Sequence, residues 1–254
     1  MNIYKIIRAL VRAIRLGCRI MRISHKVRRQ SSRHHGNRIA WGVAILAVSI
    51  GLSSCDAYQP TDKEIRVGYV LCDDHSCMSL DAYFGQGTRK AVGVIFSEQS
   101  GERPLMAVLL KELNEVFCDS AGLSNGTSGS LTVFDGAANT RAMQRSYNAE
   151  RQKGSPLAMK LFAFHEDGQS DFLPSVAEQR LLNVAAPVIN PIIERLGGTP
   201  IALAGDCWYW TSTEVSGNEG LQAWLCSSAN GGIIETPKTE SHKARAIVQI
   251  NYSN

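Results

Sequence analysis

Residues 207–226 read CWYWTSTEVSGNEGLQAWLC, and the fold turns on how this stretch pairs with itself. Aromatic and β-branched residues fill its two arms, while Gly217, Asn218 and Gly220 punctuate the middle, which is the pattern of a β-hairpin. If Cys207 faces Cys226, then Tyr209 faces Trp224, Thr211 faces Gln222 and Thr213 faces Gly220. The other pleat sets Trp208, Trp210 and Ser212 against Leu225, Ala223 and Leu221. Side chains alternate across a strand, so these two sets point to opposite sides of the sheet. The Trp, Leu and Ala side reads as core. The side carrying Tyr209, Thr211, Gln222 and Trp224 is amphipathic and is expected to face a ligand. One register satisfies both the cysteine pair and the apolar face, which predicts a Cys207–Cys226 disulfide. The competing reading is two buried thiols packing as small apolar groups.

Outward from this hairpin, Gly232–Thr236 and Ala244–Ile250 read as further short strands. At the other end of the body, Ile65–Cys72 alternates as a strand, and Ala91–Ser97 is a second strand. Leu105–Leu110 is a buried run that periodicity leaves open between strand and helix. Ser120–Ser130 (SAGLSNGTSGS) is a loop rich in Gly and Ser. Helices are expected over Asn139–Arg151 and Pro156–Phe164. A third starts at Ser175, whose spacing to Glu178 is that of a capping box. That helix is expected to run to about Ala186, where Pro187 and Pro191 break it. Helices in the middle with strands at both ends indicate an α+β fold.

The charge is divided sharply. Residues 1–38 hold 11 basic side chains and no acid. The 16 basic residues that follow face all 23 acids, so the body carries a net −7. An acidic body argues against nucleic-acid partners, which require phosphates to be neutralised. Ile39 to Leu52 is uncharged over 14 residues, short of the ~20 that span a bilayer. It fits the apolar region of a secretory signal. The run ends Leu52-Ser53-Ser54-Cys55, which resembles the lipobox of bacterial lipoproteins and implies lipidation at Cys55. Three segments follow from this: 1–54 as basic leader and signal peptide, 55–64 as lipidated tether, and 65–254 as the folded domain. Arg8, Arg12, Arg15, Arg19, Arg22 and Lys26 recur at helical spacing, as in a basic amphipathic helix on an anionic membrane. A start at Met21 instead of Met1 is the other reading of that segment.

Cys72 and Cys77 flank Asp73-Asp74-His75-Ser76, and a second hairpin disulfide suits an oxidising compartment. Cys118 is left over, either buried and unpaired or bonded to another chain.

Several stretches taken in order resemble one family. They are Val67–Leu71 with Asp74-His75-Ser76, Ala91–Phe96, Gly136 with Asn139-Thr140, Phe172–Ser175 with Glu178, Tyr209–Glu214, Ala223-Trp224 and Lys243–Val248. The set is similar to bacterial lipoproteins with a C-type lectin-like fold, related to the variable proteins of diversity-generating retroelements. The resemblance implies an α+β, C-type lectin-like fold with mixed short strands and two main helices. It also implies a ligand-binding surface built from residues 208–242. On this chain the surface would comprise Tyr209, Thr211, Glu214, Asn218, Gln222, Trp224, Ser228 and Asn230. Such mixtures of aromatic and short polar side chains make adaptable binding surfaces. Only Asn218 and Asn230 occur between Trp210 and His242, so diversification itself stays open. The calcium-dependent sugar motifs of animal C-type lectins are absent, and Asn190-Pro191 reads as structural.

Enzyme motifs are lacking. There is no GxSxG, Walker A, GxGxxG or HExxH, and His75, His165 and His242 have no metal-ligand spacing. Asp74-His75-Ser76 reads as a turn, because neighbours in sequence do not align as a catalytic triad. Glu166, Asp167 and Asp171 read as a solvated loop. Formylglycine-generating oxidases share the fold and use a cysteine pair late in the chain, whereas Cys72 and Cys77 come early. The expectation is therefore a non-catalytic adhesion or ligand-binding lipoprotein, with no cofactor and no metal. It would be lipid-anchored in the bacterial cell envelope, at the outer membrane or surface in preference to the inner membrane, and would bind a macromolecular or glycan ligand. A structural or assembly subunit of a pilus-like envelope machine is the alternative.

Overall fold

The longest strands carry the architecture. The computed structural model describes residues 64–163 and 171–250. Strand β1 is Val70–Cys72, β2 Cys77–Met78, β3 Ala91–Ser97, β4 Leu105–Val116, β5 Trp208–Glu214, β6 Gln222–Ser227, β7 Ile233–Pro237 and β8 Ser241–Ile250. Four helices are described: α1 Leu80–Gln86, α2 Gly136–Arg145, α3 Pro156–Ala163 and α4 Val176–Arg195. The strands form one eight-stranded sheet in the order β2-β1-β3-β4-β8-β5-β6-β7. Neighbours are antiparallel except β5 and β8, which meet in parallel at Tyr209 and Lys243. The chain is thus α+β, with the run Leu105–Leu110 resolved as the start of the twelve-residue β4.

Both faces of this sheet are covered. On one, Leu71, Ile95, Leu105, Ala107, Ala244, Ala246, Trp210, Ala223 and Leu225 pack with Met143 of α2 and Leu157, Ala158 and Leu161 of α3. On the other, Val94, Phe96, Met106, Val108, Tyr209 and Ile247 pack against Leu182, Ala185, Ala186, Ile189 and Ile193 of α4. Strands β3, β4, β5 and β8 divide their side chains between the two clusters, as pleating demands. Trp210 is fully buried, as its pattern predicts. Its indole N–H donates to the Glu115 carbonyl at 3.1 Å, and its ring meets Phe117 edge-on at 5.5 Å. Truncating a side chain so placed costs about 3–5 kcal/mol.

Helix α4 starts at the capping box read from the sequence. Ser175 Oγ accepts the Glu178 backbone N–H at 3.4 Å, and Glu178 Oε2 accepts that of Ser175 at 2.7 Å. The same Oε2 accepts the N–H of Gly136, the first residue of α2, at 3.2 Å. One carboxylate therefore joins the starts of two helices. A β-carbon at Gly136 would lie 2.6 Å from the Leu173 carbonyl oxygen, so only glycine lets α2 approach. Asn190 bonds the backbone of Ile201 through both ends of its amide, each at 2.8 Å, and is structural as expected.

Several expectations fail for identifiable reasons. Helix α4 does not stop at Ala186 but continues through Pro187 and Pro191 to Arg195. Both prolines lie on its exposed face. There a missing backbone bond can be made up by water, while packing of the other face holds the helix together. Helix α2 begins at Gly136 and ends at Arg145 instead of spanning Asn139–Arg151. The first strand shortens to Val70–Cys72 because Gly68 turns the chain at φ +91°. Four helices stand where two main ones were expected, and α1 carried too little periodicity to be read. In the hairpin, Tyr209 pairs with Cys226 and Trp210 with Leu225, two residues away from the expected register. A shift of two preserves which face each residue occupies, so the core side survives, but Cys207 no longer faces Cys226. Leu221 falls before β6 and is exposed.

The cysteines follow from this register. No disulfide joins Cys72, Cys77, Cys118, Cys207 and Cys226 to one another. Cys77 is opposite Leu71 and packs on its face, whereas Cys72 packs with Val70 and Met78 on the other. Residues on opposite faces of a hairpin cannot be bridged without moving the backbone. Neither expected disulfide is present. Asp74, His75 and Ser76 form the expected turn, with Asp74 Oδ1 accepting the Ser76 backbone N–H at 3.1 Å. Cys55, the leader, His165, Glu166 and Asp167 lie outside the described residues.

Two outcomes follow. Denatured without reductant, all five of these cysteines should react with a maleimide; protection of the Cys207–Cys226 or Cys72–Cys77 pair would contradict the register. Burial pushes the Glu178 carboxyl up to about 7, against hydrogen bonds from Ser175 and Gly136 and aided by the nearby Asp135 charge. A raised carboxyl penalises the folded state when ionised, so the penalty is full above pH 7 and relieved as pH falls toward 4.5. The urea midpoint should therefore rise on going from pH 8 to 5.5, by about 2 kcal/mol of stability. Glu178→Gln should flatten that dependence.

Candidate ligand-binding groove

The hairpin face expected to meet a ligand is closed, residue by residue. Tyr209 is fully buried beneath α4. Its hydroxyl donates to Glu112 Oε2 at 2.8 Å and accepts the Ala202 N–H at 2.9 Å. Burial drives its pKa well above the usual phenol range. Glu112 in turn faces Arg245 across β4 and β8. The Arg245 guanidinium is buried and donates to the Leu110 carbonyl at 3.1 Å. Its desolvation lowers the arginine pKa, opposed by Glu112. Thr211 is buried and donates to the Trp224 carbonyl at 2.8 Å. Glu214 is buried in an ion pair with Lys238 at 2.6 Å. Tyr209, Thr211 and Glu214 are therefore scaffold and not ligand contacts, which corrects their placement on the binding surface. The expectation took an antiparallel hairpin to have one wet face, the usual arrangement. Here α4 covers it.

The other expected residues fall into two groups along β6. At one end Asn218 is exposed in the β5–β6 turn and donates to Gln222 Oε1 at 2.7 Å. Trp224 follows, half-buried, opposite Glu235 of β7. At the other end Ser228 and Asn230 line a groove of about 430 Å³ with Arg180, Asn183, Val184, Pro187, Ala229 and Gly231. The groove lies between the outer face of α4 and the turn linking β6 to β7.

Local chemistry explains its shape. Gly231 takes a left-handed φ of +71°, which lets the 227–232 turn close through a bond from its N–H to the Ser227 carbonyl at 2.8 Å. Asn230 Oδ1 accepts the Gly232 N–H at 2.9 Å, leaving its amide –NH2 toward solvent on an exposed residue. Ser228 is buried below, with its hydroxyl donating to the Cys207 carbonyl at 3.0 Å, so it shapes the floor. Asn183 ties α4 to β6 by donating to the Ser227 carbonyl at 3.0 Å. The exposed Arg180 spends Nε on the Gly231 carbonyl at 3.2 Å and has no carboxylate partner among the described residues. Past it, Val184 is 79% and Val188 60% exposed, with Pro187 and Pro191 beside them. The site thus offers an apolar wall, one cation and the –NH2 of one carboxamide.

Sequence reasoning missed α4 as a wall of the site. The signal was present: Val184, Pro187, Val188 and Pro191 recur at i, i+3, i+4 and i+7, one helical stripe opposite the core-facing one. Ending the helix at Ala186 hid it. Among the described residues no group of His, Cys, Asp and Glu could hold a metal ion. Cys226, near the groove floor, has its thiol pushed up by burial and is a poor nucleophile.

No family model matches the chain, and no curated protein matches it. A solved structure of a fimbrial protein from Bacteroides ovatus ATCC 8483 is similar in fold, with a TM-score of 0.53 at 14% sequence identity. The match covers 73% of this chain and 49% of that one, so this chain spans about half the length of the fimbrial protein. At that identity the likeness concerns the fold alone.

Proposed function

We propose that the chain is a non-catalytic binding protein of the bacterial cell envelope, which engages a macromolecular or glycan ligand at the groove between α4 and the β6–β7 turn. The observation that carries this reading is the open groove, whose apolar wall is exposed beside Arg180, a cation with no carboxylate partner among the described residues. A contiguous exposed apolar stripe beside a fixed cation is the kind of surface that meets a partner. The fold is of the C-type lectin-like kind in this reading. In its support, β8 returns to pair along β4 and brings the end of the domain beside its early strands. Cys55 would carry a lipid that holds the domain at the membrane, at the outer membrane or surface. No helix among the described residues is long and apolar enough to cross a membrane, and an N-terminal lipid would supply the attachment.

A second reading, a structural or assembly subunit of a pilus-like machine, is favoured by the fimbrial protein that shares the fold. The two differ in what the groove meets: a foreign ligand in the first, a fixed envelope partner in the second.

Arg180→Ala and Val184→Asp each change an exposed side chain, so the melting temperature should stay within a few degrees. Binding of the mature chain to whole cells or to a glycan array should fall at least tenfold, about 1.4 kcal/mol. Unchanged binding by both folded variants would remove the groove from the site. Retention of a single co-purifying envelope protein, with no cell or glycan binding, would favour the assembly reading.

A further inference from the structure

A buried cluster that ligand binding does not use ties the loop after β4 to the far end of the chain. Lys238 follows β7 and is 1% exposed, Glu214 ends β5 at 0%, and Asn125 lies in the Gly/Ser loop at 3%. The Lys238 Nζ is 2.8 Å from Asn125 Oδ1 and 2.6 Å from Glu214 Oε1. The carbonyl oxygens of Leu123 and Glu219 are each 2.6 Å from the same nitrogen. Glu214 Oε1 also accepts the backbone N–H of Asn125 at 2.8 Å, and its Oε2 accepts both donors of Thr127 at 3.0 Å. The Asn125 amide nitrogen donates to Ser146 Oγ at 2.7 Å. The Phe117 ring closes the site, with its centroid 5.6 Å from Nζ. An amine, a carboxamide and a carboxylate are thus held in contact away from water.

As a plain ion pair this cluster is a costly device, because desolvation offsets much of the Coulombic attraction between buried charges. An ammonium has only three hydrogens, and four oxygens crowd this one. The contact to Asn125 has a further meaning. The carbon bonded to Oδ1 is an electrophile, the amine beside it is a nucleophile once deprotonated, and the carboxylate that touches the amine is a base.

We propose that Lys238 and Asn125 join in an intramolecular amide bond, with Glu214 as the acid–base group. Glu214 takes one proton from the Lys238 ammonium. The freed lone pair of Nζ attacks Asn125 Cγ, the new C–N bond forms, and the carbonyl π pair moves to Oδ1. Glu214 then gives its proton to the carboxamide nitrogen and takes one from Nζ. The carbonyl re-forms, the old C–N bond breaks, and ammonia leaves. The starting ammonium, carboxylate and carboxamide become a secondary amide, a neutral carboxylic acid and ammonia, with no oxidant or reductant required. A buried charge pair is exchanged for neutral groups, which the dry site favours. The bond would bridge 113 positions of sequence and staple the loop to the β5–β6–β7 meander. It is independent of what the groove binds.

Peptide mapping of the folded full chain by tandem mass spectrometry tests this. The expected result is one branched peptide joining Asn125 to Lys238, resistant to reductant and lighter by about 17 Da, the mass of ammonia, than the sum of its parts. Glu214→Gln and Asn125→Ala should abolish the branch. Recovery of Asn125 and Lys238 in separate, unmodified peptides from the folded chain would overturn the proposal, and so would a loss of about 18 Da with the branch mapping to Glu214. The wild-type map decides the matter even if a variant fails to fold.

Discussion

Every later feature of this molecule depends on the burial of β5 from both sides. Trp210 points into one apolar cluster and Tyr209, its neighbour, into the other. A strand so placed has no face left for solvent, and polar side chains along it must be satisfied internally. Thr211 spends its hydroxyl on the Trp224 carbonyl, and Glu214 spends its carboxylate on Lys238 and the 125–127 backbone. Open surface is thereby displaced from the strands to the rim, where α4 and the β6–β7 turn meet.

The same constraint explains how an eight-stranded sheet holds together with no disulfide between its described cysteines. Buried polar ties take the place of disulfides. Glu178 joins the starts of α2 and α4, the Glu112–Tyr209–Arg245 set closes the sheet under α4, and Lys238 with Glu214 anchors the loop that follows β4. Each tie joins residues far apart in sequence. Breaking one partner of such a group leaves the other charged and dry, so these positions are more sensitive to substitution than their place near loops suggests.

Much of the scaffold was legible. The capping box at Ser175 and Glu178 rests on local hydrogen bonds with a fixed spacing, and it appears as read. The division of the hairpin into a Trp210 side and a Tyr209 side follows from pleating alone and survives the two-residue register shift. What lay beyond the residues themselves was the partner of each face. Nothing in 207–226 records that α4 lies over Tyr209, because that contact is tertiary. The prolines at 187 and 191 misled for a similar reason: propensity argues for a break, and the packing of Ile189 and Ile193 outweighs it. For the candidate site, Ser228 and Asn230 line the groove, while its opposite wall was hidden by the helix end drawn too early.

The double-sided burial of β5 is the constraint on which the rest of the fold depends. Hydrogen exchange of the backbone amides of Trp208–Glu214, followed by mass spectrometry on the full chain, measures it most directly. A strand covered on both faces opens only with the domain, so these amides should exchange as slowly as the slowest in β4 and β8. Exchange at the rate of the exposed Ser216–Asn218 turn would show that one face of β5 is open, and would return Tyr209 to the surface.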